Sequence, residues 1–222
     1  MIRLENVTKS YMTLSGRNVV FRDLSIDFPR DVNVGLIGRN GAGKSTLMRL
    51  LSSVDLPDSG KIITGGRLSW PVGLKGGLEQ RLTGRDNVKF VCRIQGVRGP
   101  EMREKIDFVQ DFAELGEYFD RPVSGYSSGM RARLAFGTSM AFDFDYYLID
   151  EILAVGDARF KKKSRALFQE RLKDSKLILV SHNMKLIGNM CDSVVLLEHG
   201  RAKYYDDASE GIAAYRKTGD KP

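Results

Sequence analysis

The residues Gly38-Arg39-Asn40-Gly41-Ala42-Gly43-Lys44-Ser45 fit the pattern G-x-x-x-x-G-K-[ST], and Thr46 follows them. The chemistry such a run can do is to grip a phosphate. Three glycines let successive backbone N–H groups curl around an anion where side chains would obstruct both the turn and the approach. A helix starting near Gly43 would aim its unpaired N–H groups and the positive end of its dipole at the same anion. Lys44 adds a full charge near the β and γ oxygens of a nucleoside triphosphate, and Ser45 offers a hydroxyl to Mg²⁺. A chance match is expected in about one chain in a hundred of this length. Triphosphate binding is therefore the reading adopted.

Gripping a phosphate does not cut it. Tyr146-Tyr147-Leu148-Ile149-Asp150-Glu151 supplies what cutting needs: an apolar strand that carries two carboxylates to its C-terminal end. In doubly wound sheets that edge is where ligands sit. Asp150 can hold Mg²⁺, directly or through water, and Glu151 can polarise the attacking water. Leu177-Ile178-Leu179-Val180-Ser181-His182 repeats the design. A neutral imidazole at His182 can bind a γ-phosphate oxygen or orient the water. His199, in the hairpin turn expected at Glu198-His199-Gly200, receives no chemistry.

These groups need a sheet to carry them. Residues 2–4 and 24–28 alternate as strands, with a turn at 15–18, and residues 32–37 form a β-rich run ending in Gly38. Residues 43–53 read as a helix with Leu47, Leu50 and Leu51 on one face. Met102, Ile106, Val109 and Phe112 or Ala113 recur at helical spacing, and another helix is expected over 127–140. Strands at 146–149, 177–180 and 194–197 alternate with helical patterns at 157–172 and 183–190. This order predicts an α/β fold, a largely parallel sheet with helices on both faces, with the stretch from about 75 to 135 as a helical insertion.

Composition bounds the rest. The 222 residues, 42% of them apolar, fit one domain, or one domain carrying a lobe, with a sizeable core. No uninterrupted apolar run approaches the ~18 residues of a membrane-spanning helix, and Met1-Ile2-Arg3-Leu4-Glu5 lacks the layout of a secretion signal. A cytosolic chain is expected. Cys92 and Cys191 make no ligand spacing and read as two reduced thiols. Against 28 acidic residues stand 35 Lys and Arg, a net charge of +7. The basic clusters, such as Lys161-Lys162-Lys163, are short; no long basic arm or RNA-binding signature accompanies them, and no nucleic-acid partner is expected.

Tyr126-Ser127-Ser128-Gly129-Met130 precedes the 127–140 helix. With it, the order and spacing of the motifs resemble the ATP-binding subunit of an ABC transporter over nearly the whole chain. The resemblance implies a P-loop NTPase of ABC ATPase type: a RecA-like parallel-sheet core, an N-terminal antiparallel β subdomain and an inserted α-helical subdomain. These fill one ABC ATPase domain over 1–222, with the core and β subdomain at about 1–74 and 136–222 and the helical subdomain at about 75–135. In that family residues 38–46 are Walker A, Asp150 and Glu151 close Walker B, and His182 is the switch histidine. Ser127, Ser128, Gly129 and Met130 correspond to the signature loop, Asp157 to the D-loop, and Tyr11 to the aromatic residue that stacks on adenine. The signature makes physical sense as a second phosphate clamp, because small residues at a helix start expose N–H groups and hydroxyls. The family implies that it closes on ATP held by another copy, in a head-to-tail homodimer with two ATP and Mg²⁺ sites.

Two departures stand out. Met130 replaces the commoner glutamine and Ser128 the first glycine of the signature. The Q-loop glutamine has no clear counterpart: Leu74 or Lys75 falls near its place, Gln80 several residues late, and the role is unassigned. Ser69-Trp70-Pro71-Val72-Gly73, Leu82-Thr83-Gly84-Arg85-Asp86-Asn87-Val88 and Val155-Gly156-Asp157-Ala158-Arg159-Phe160 narrow the likeness to the ATPases of bacterial polysaccharide exporters, the capsular type above all. That resemblance implies an ATPase on the cytoplasmic face of the inner membrane, held by an integral-membrane permease whose coupling helix docks near residues 73 to 90, powering export of a lipid-linked glycan. O-antigen or teichoic acid export is the alternative cargo, and a soluble non-transport ABC protein the alternative class. An appended carbohydrate-binding domain is not expected beyond the helix around 212–215, and Trp70 is read as a packing residue rather than a sugar platform.

Overall fold

The computed structural model describes residues 1–14, 16–72, 77–150 and 157–219. In chain order the strands and α-helices are β1 (Ile2–Thr13), β2 (Gly16–Phe28), β3 (Val34–Gly38), α1 (Lys44–Leu51), β4 (Ser59–Thr64), α2 (Gly84–Ile94), α3 (Gly99–Ala113) and α4 (Ser128–Met140). Then follow β5 (Tyr146–Asp150), α5 (Ala158–Arg171), β6 (Lys176–Val180), α6 (Met184–Met190), β7 (Ser193–Glu198), β8 (Arg201–Tyr205) and α7 (Ala208–Gly219). They pack as two units. One holds Met1–Pro71, Phe144–Glu151 and Asp174–Pro222; the other holds Val72–Asp143 and Ile152–Lys173.

The first unit carries two sheets. An antiparallel sheet runs in the order β2-β1-β4, and a second sheet in the order β5-β6-β3-β7-β8. In the second, β3 pairs in parallel with β6 and β7, β6 pairs in parallel with β5, and only β8 runs antiparallel, to β7. Every residue of β3 is buried, as the apolar run at 32–37 requires of a strand covered on both faces. Its two faces meet different helices. Leu36 shares an apolar cluster with Leu47, Met48, Leu50 and Leu51 of α1, whereas Gly35 faces α6 so closely that a Cβ there would stand 2.7 Å from Ile187.

Register decides what the sheet can deliver. Asp150 pairs with Val180 and Leu36 pairs with the same residue. Strands β3, β5 and β6 therefore finish side by side, and Gly38, Asp150 and His182 emerge at one edge.

The second unit is helical. Thr83 caps α2 by accepting the Asp86 N–H at 3.0 Å, and α3 opens with proline in its first turn and ends where Glu114 turns left-handed at φ 52°. Around Phe112 the core is aromatic, with Phe136 stacked at 5.7 Å and Phe160 edge-on at 5.3 Å.

Both cysteines are buried. Burial pushes the Cys191 thiol from the ordinary 9.0 up to about 12 and raises Cys92 as well. The folded thiol thus keeps a proton that the unfolded chain sheds, so its contribution to stability holds below pH 9 and is lost as pH rises towards 12. Neither thiol should react with a disulfide reagent at pH 8 until denaturant unfolds the chain; fast stoichiometric labelling of native protein would contradict this packing.

Candidate functional site

The loop between β3 and α1 is built around Lys44. Its ammonium donates to the Gly38 carbonyl at 2.7 Å and to the Arg39 carbonyl at 3.0 Å, and the residue is 7% exposed. The Ala42 N–H closes the turn onto the Arg39 carbonyl at 3.1 Å, and the first helical bond runs from the Leu47 N–H to Gly43 at 2.8 Å. Gly43 caps α1 in the left-handed region at φ 99°, with no side-chain cap and no acidic residue in the first turn. A Cβ at Gly43 would meet the Phe21 ring at 2.6 Å, so sterics and backbone conformation both demand glycine. Gly41, at φ 82°, has nothing within 4 Å of where its Cβ would be. That open space above an uncapped helix start fits a phosphate chain.

Asn40, Gly41, Gly43, Lys44, Ser45 and Thr46 line a cleft of about 370 Å³ together with Asp150 and His182. The sheet edge thus brings the phosphate loop, one carboxylate and one imidazole to a single space. Glu151 lies outside the described residues. Gly38 and Arg39 serve the loop through their carbonyls, and Ala42 leans on the apolar core. Tyr11 does not line the cleft; its hydroxyl donates to Asp55 at 2.7 Å.

The remaining candidates gather in the helical unit. Ser127 caps α4, its hydroxyl accepting the Met130 N–H at 3.2 Å. Ser127, Gly129 and Met130 line a second cleft, of about 490 Å³, with Arg133 and Asp157; Ser128 is exposed at the helix start. Asp157 caps α5 by accepting the Phe160 N–H at 2.9 Å and pairs with the Arg133 guanidinium at 2.5 Å. The Phe160 N–H first, and then Arg133, hold its carboxyl below the usual range. Arg133 also lies over the Phe160 ring, 4.7 Å from its centroid. Sequence reasoning passed over Arg133, although Gly129 and Arg133 are one helical turn apart and so share a face.

Two smaller points follow. Gln80 is exposed and contributes a carbonyl to the Ser124 N–H at 2.9 Å, while Leu74 and Lys75 lie outside the described residues. Trp70 stands edge-on to Phe144 at 5.3 Å, in contact with the apolar packing of the first unit.

A phosphate loop between strand and helix, with an acidic strand end beside it on a mainly parallel sheet, defines a P-loop ATPase. The family pattern described as "ABC transporter" matches residues 21–154, and the chain belongs to that family. It is 56% identical over 218 residues to the polysialic acid transport ATP-binding protein KpsT of Escherichia coli, covering 98% of this chain and 99% of that one. It is 43% identical over 215 residues to the capsule polysaccharide export ATP-binding protein CtrD of Neisseria meningitidis serogroup B, covering 97% and 98%. Among solved structures it resembles the ATP-binding cassette MJ0796, described as a dimeric post-hydrolysis state bound to ADP and Pi, with a TM-score of 0.74 and 19% identity over 93% of this chain and 98% of that one. The chain is an ABC-type ATPase.

Gly43→Ala should abolish ATP binding, because the methyl group must displace the Phe21 ring and the backbone must leave φ 99°. Gly41→Ala meets no protein atom, but its methyl enters the space assigned to the phosphates from φ 82°, so it should also weaken ATP while disturbing the nucleotide-free fold less than Gly43→Ala. Full ATP affinity in either variant, or equal thermal destabilisation of the two, would contradict the loop geometry.

Proposed function

We propose that this chain is the ATP-hydrolysing subunit of an exporter for capsular polysaccharide, working on the cytoplasmic face of a bacterial inner membrane. The observation that carries the reading is the full-length likeness to KpsT, a polysialic acid transport ATP-binding protein. CtrD, named for capsule polysaccharide export, supports the same cargo class. No helix among the described residues is long and apolar enough to cross a membrane, and the translocation path is assigned to an integral-membrane permease that docks near residues 73 to 90.

In this reading the loop from Gly38 to Thr46 binds the phosphates and Lys44 neutralises their charge. Ser45 and Asp150 hold Mg²⁺. With Mg²⁺ bound beside the nucleotide, phosphate oxygens and water would supply its remaining ligands, as is usual for that ion. The bound ion offsets charge that develops on the phosphates as the bond breaks. Glu151 orients the attacking water and His182 contacts the γ-phosphate. Tyr11 stacks on the adenine. The chain has one phosphate loop and one Ser127–Met130 loop, so a head-to-tail homodimer supplies each ATP with both, and Asp157 faces the partner across that interface. The dimeric state described for MJ0796 is in keeping with this. ATP favours the closed dimer by differential affinity, and hydrolysis removes that preference. The domain boundaries expected from sequence, at about 75 and 135, belong to the same proposal.

Lys44→Ala should lose ATP binding in an equilibrium titration. Glu151→Gln should bind ATP normally, stop turnover and accumulate as a dimer by light scattering; unimpaired turnover would remove Glu151 from its role. In cells lacking the native gene, wild-type protein should restore surface polysaccharide. Glu151→Gln should instead leave a lipid-linked glycan on the cytoplasmic side, and restored export by that variant would refute the coupling.

A further inference from the structure

An ion pair and a phenol are tied together on the antiparallel sheet of the first unit. Lys9 occupies an inward position of β1 and is only 8% exposed. Its ammonium donates to Asp55 Oδ1 at 2.7 Å and to the Leu56 carbonyl at 2.8 Å. Asp55 Oδ2 accepts the Tyr11 hydroxyl at 2.7 Å. The Lys9 ammonium also stands over the Tyr11 ring, 5.0 Å from its centroid.

An enclosed ion pair is a poor source of stability, because removing two charges from water offsets most of their attraction. This one does something more specific. It fixes an aromatic ring at two points, a carboxylate at its hydroxyl and an ammonium on one face, so a flat partner can stack only on the opposite face. The Asp55 hydrogen bond holds Lys9 above its ordinary value, and the Lys9 hydrogen bond holds Asp55 below its own, so the pair stays ionised through the neutral range.

We propose that Asp55, backed by Lys9, is a positioning residue for base recognition: it fixes the Tyr11 ring so that the adenine of ATP stacks on the face opposite Lys9. The proposal rests on the reading of Tyr11 as the adenine platform. A ring already immobilised has no rotamer freedom to lose on stacking, which is worth a factor of about two to twelve in affinity.

The test is an equilibrium titration of the full chain with ATP and, separately, with inorganic triphosphate, which has no base. Tyr11→Ala should weaken ATP about tenfold or more and leave triphosphate unchanged; unchanged ATP affinity would overturn Tyr11 itself as the platform. Asp55→Ala should weaken ATP about threefold or more, again without touching triphosphate, and should raise KM while leaving kcat alone. The variant keeps Lys9 company, since Asp58 stands 3.8 Å from its ammonium. In a Tyr11→Phe background, where the hydroxyl is gone, Asp55→Ala should change nothing further. If Asp55→Ala does not fold, Asp55→Asn takes its place in the same cycle, with a smaller loss because an acceptor remains. Full ATP affinity in the Asp55 variant, an equal loss for triphosphate, or an additive loss in Tyr11→Phe would each overturn the positioning role while leaving Tyr11 as the platform.

Discussion

A lysine ammonium wrapped in backbone carbonyls sets the shape of the phosphate loop, and the rest of the first unit is arranged around it. The Gly38 and Arg39 carbonyls hold the Lys44 ammonium beside the start of α1. The uncapped start of α1 and the lysine charge have the same sign. Such a concentration of positive potential in a partly enclosed cleft needs an anion, and a chain of phosphates supplies one at several points at once.

The sheet explains how the remaining groups reach that anion. Strands buried on both faces have little tolerance for charge along their length, so polar chemistry is confined to their ends. In β5 four buried residues precede the half-buried Asp150, and β6 delivers His182 after a run of buried apolar residues. Because β3, β5 and β6 are parallel and level with one another, their ends fall on the same edge. The parallel register thus assembles a site from residues far apart in the chain.

Much of this was legible in the sequence. Runs such as Leu177–Val180 announce covered strands, and a glycine-rich turn between a strand and a helix is nearly self-describing. What escaped did so for physical reasons. β4 is a sheet edge with only Ile62 half-buried, so it has no alternation to read. α2 does carry a helical period, with Val88 and Cys92 buried one turn apart, but its start is fixed by polar groups that an apolar pattern does not announce: the Thr83 cap, and a buried Asn87 whose side-chain amide donates to the Glu79 and Thr83 carbonyls. The Lys9 network did leave a trace. Ile2, Leu4, Val7 and Lys9 are buried in β1, so a charge follows apolar residues on the inward side, and a charge so placed demands a partner. Its partner Asp55 sits beyond α1 in a loop with no periodicity, and only the folded chain brings the two together.

The helical unit shows a different economy. Ser127 to Met130 and Asp157 are separate motifs in the chain, yet Arg133 joins them by pairing with Asp157 and lying over Phe160. Behind Arg133, Phe160 packs edge-on to Phe112, which stacks on Phe136, and Lys163 joins α5 to Glu114 at 2.7 Å while donating to the Phe112 carbonyl. An exposed ion pair alone would be a weak tether. Close-packed rings beneath it change the mechanics, because such cores shift as bodies rather than deform residue by residue. The start of α4 and the start of α5 are consequently one surface. A ligand that drew on the Ser127 hydroxyl would therefore meet a surface whose other edge, Asp157, is already held by Arg133 on the same helix.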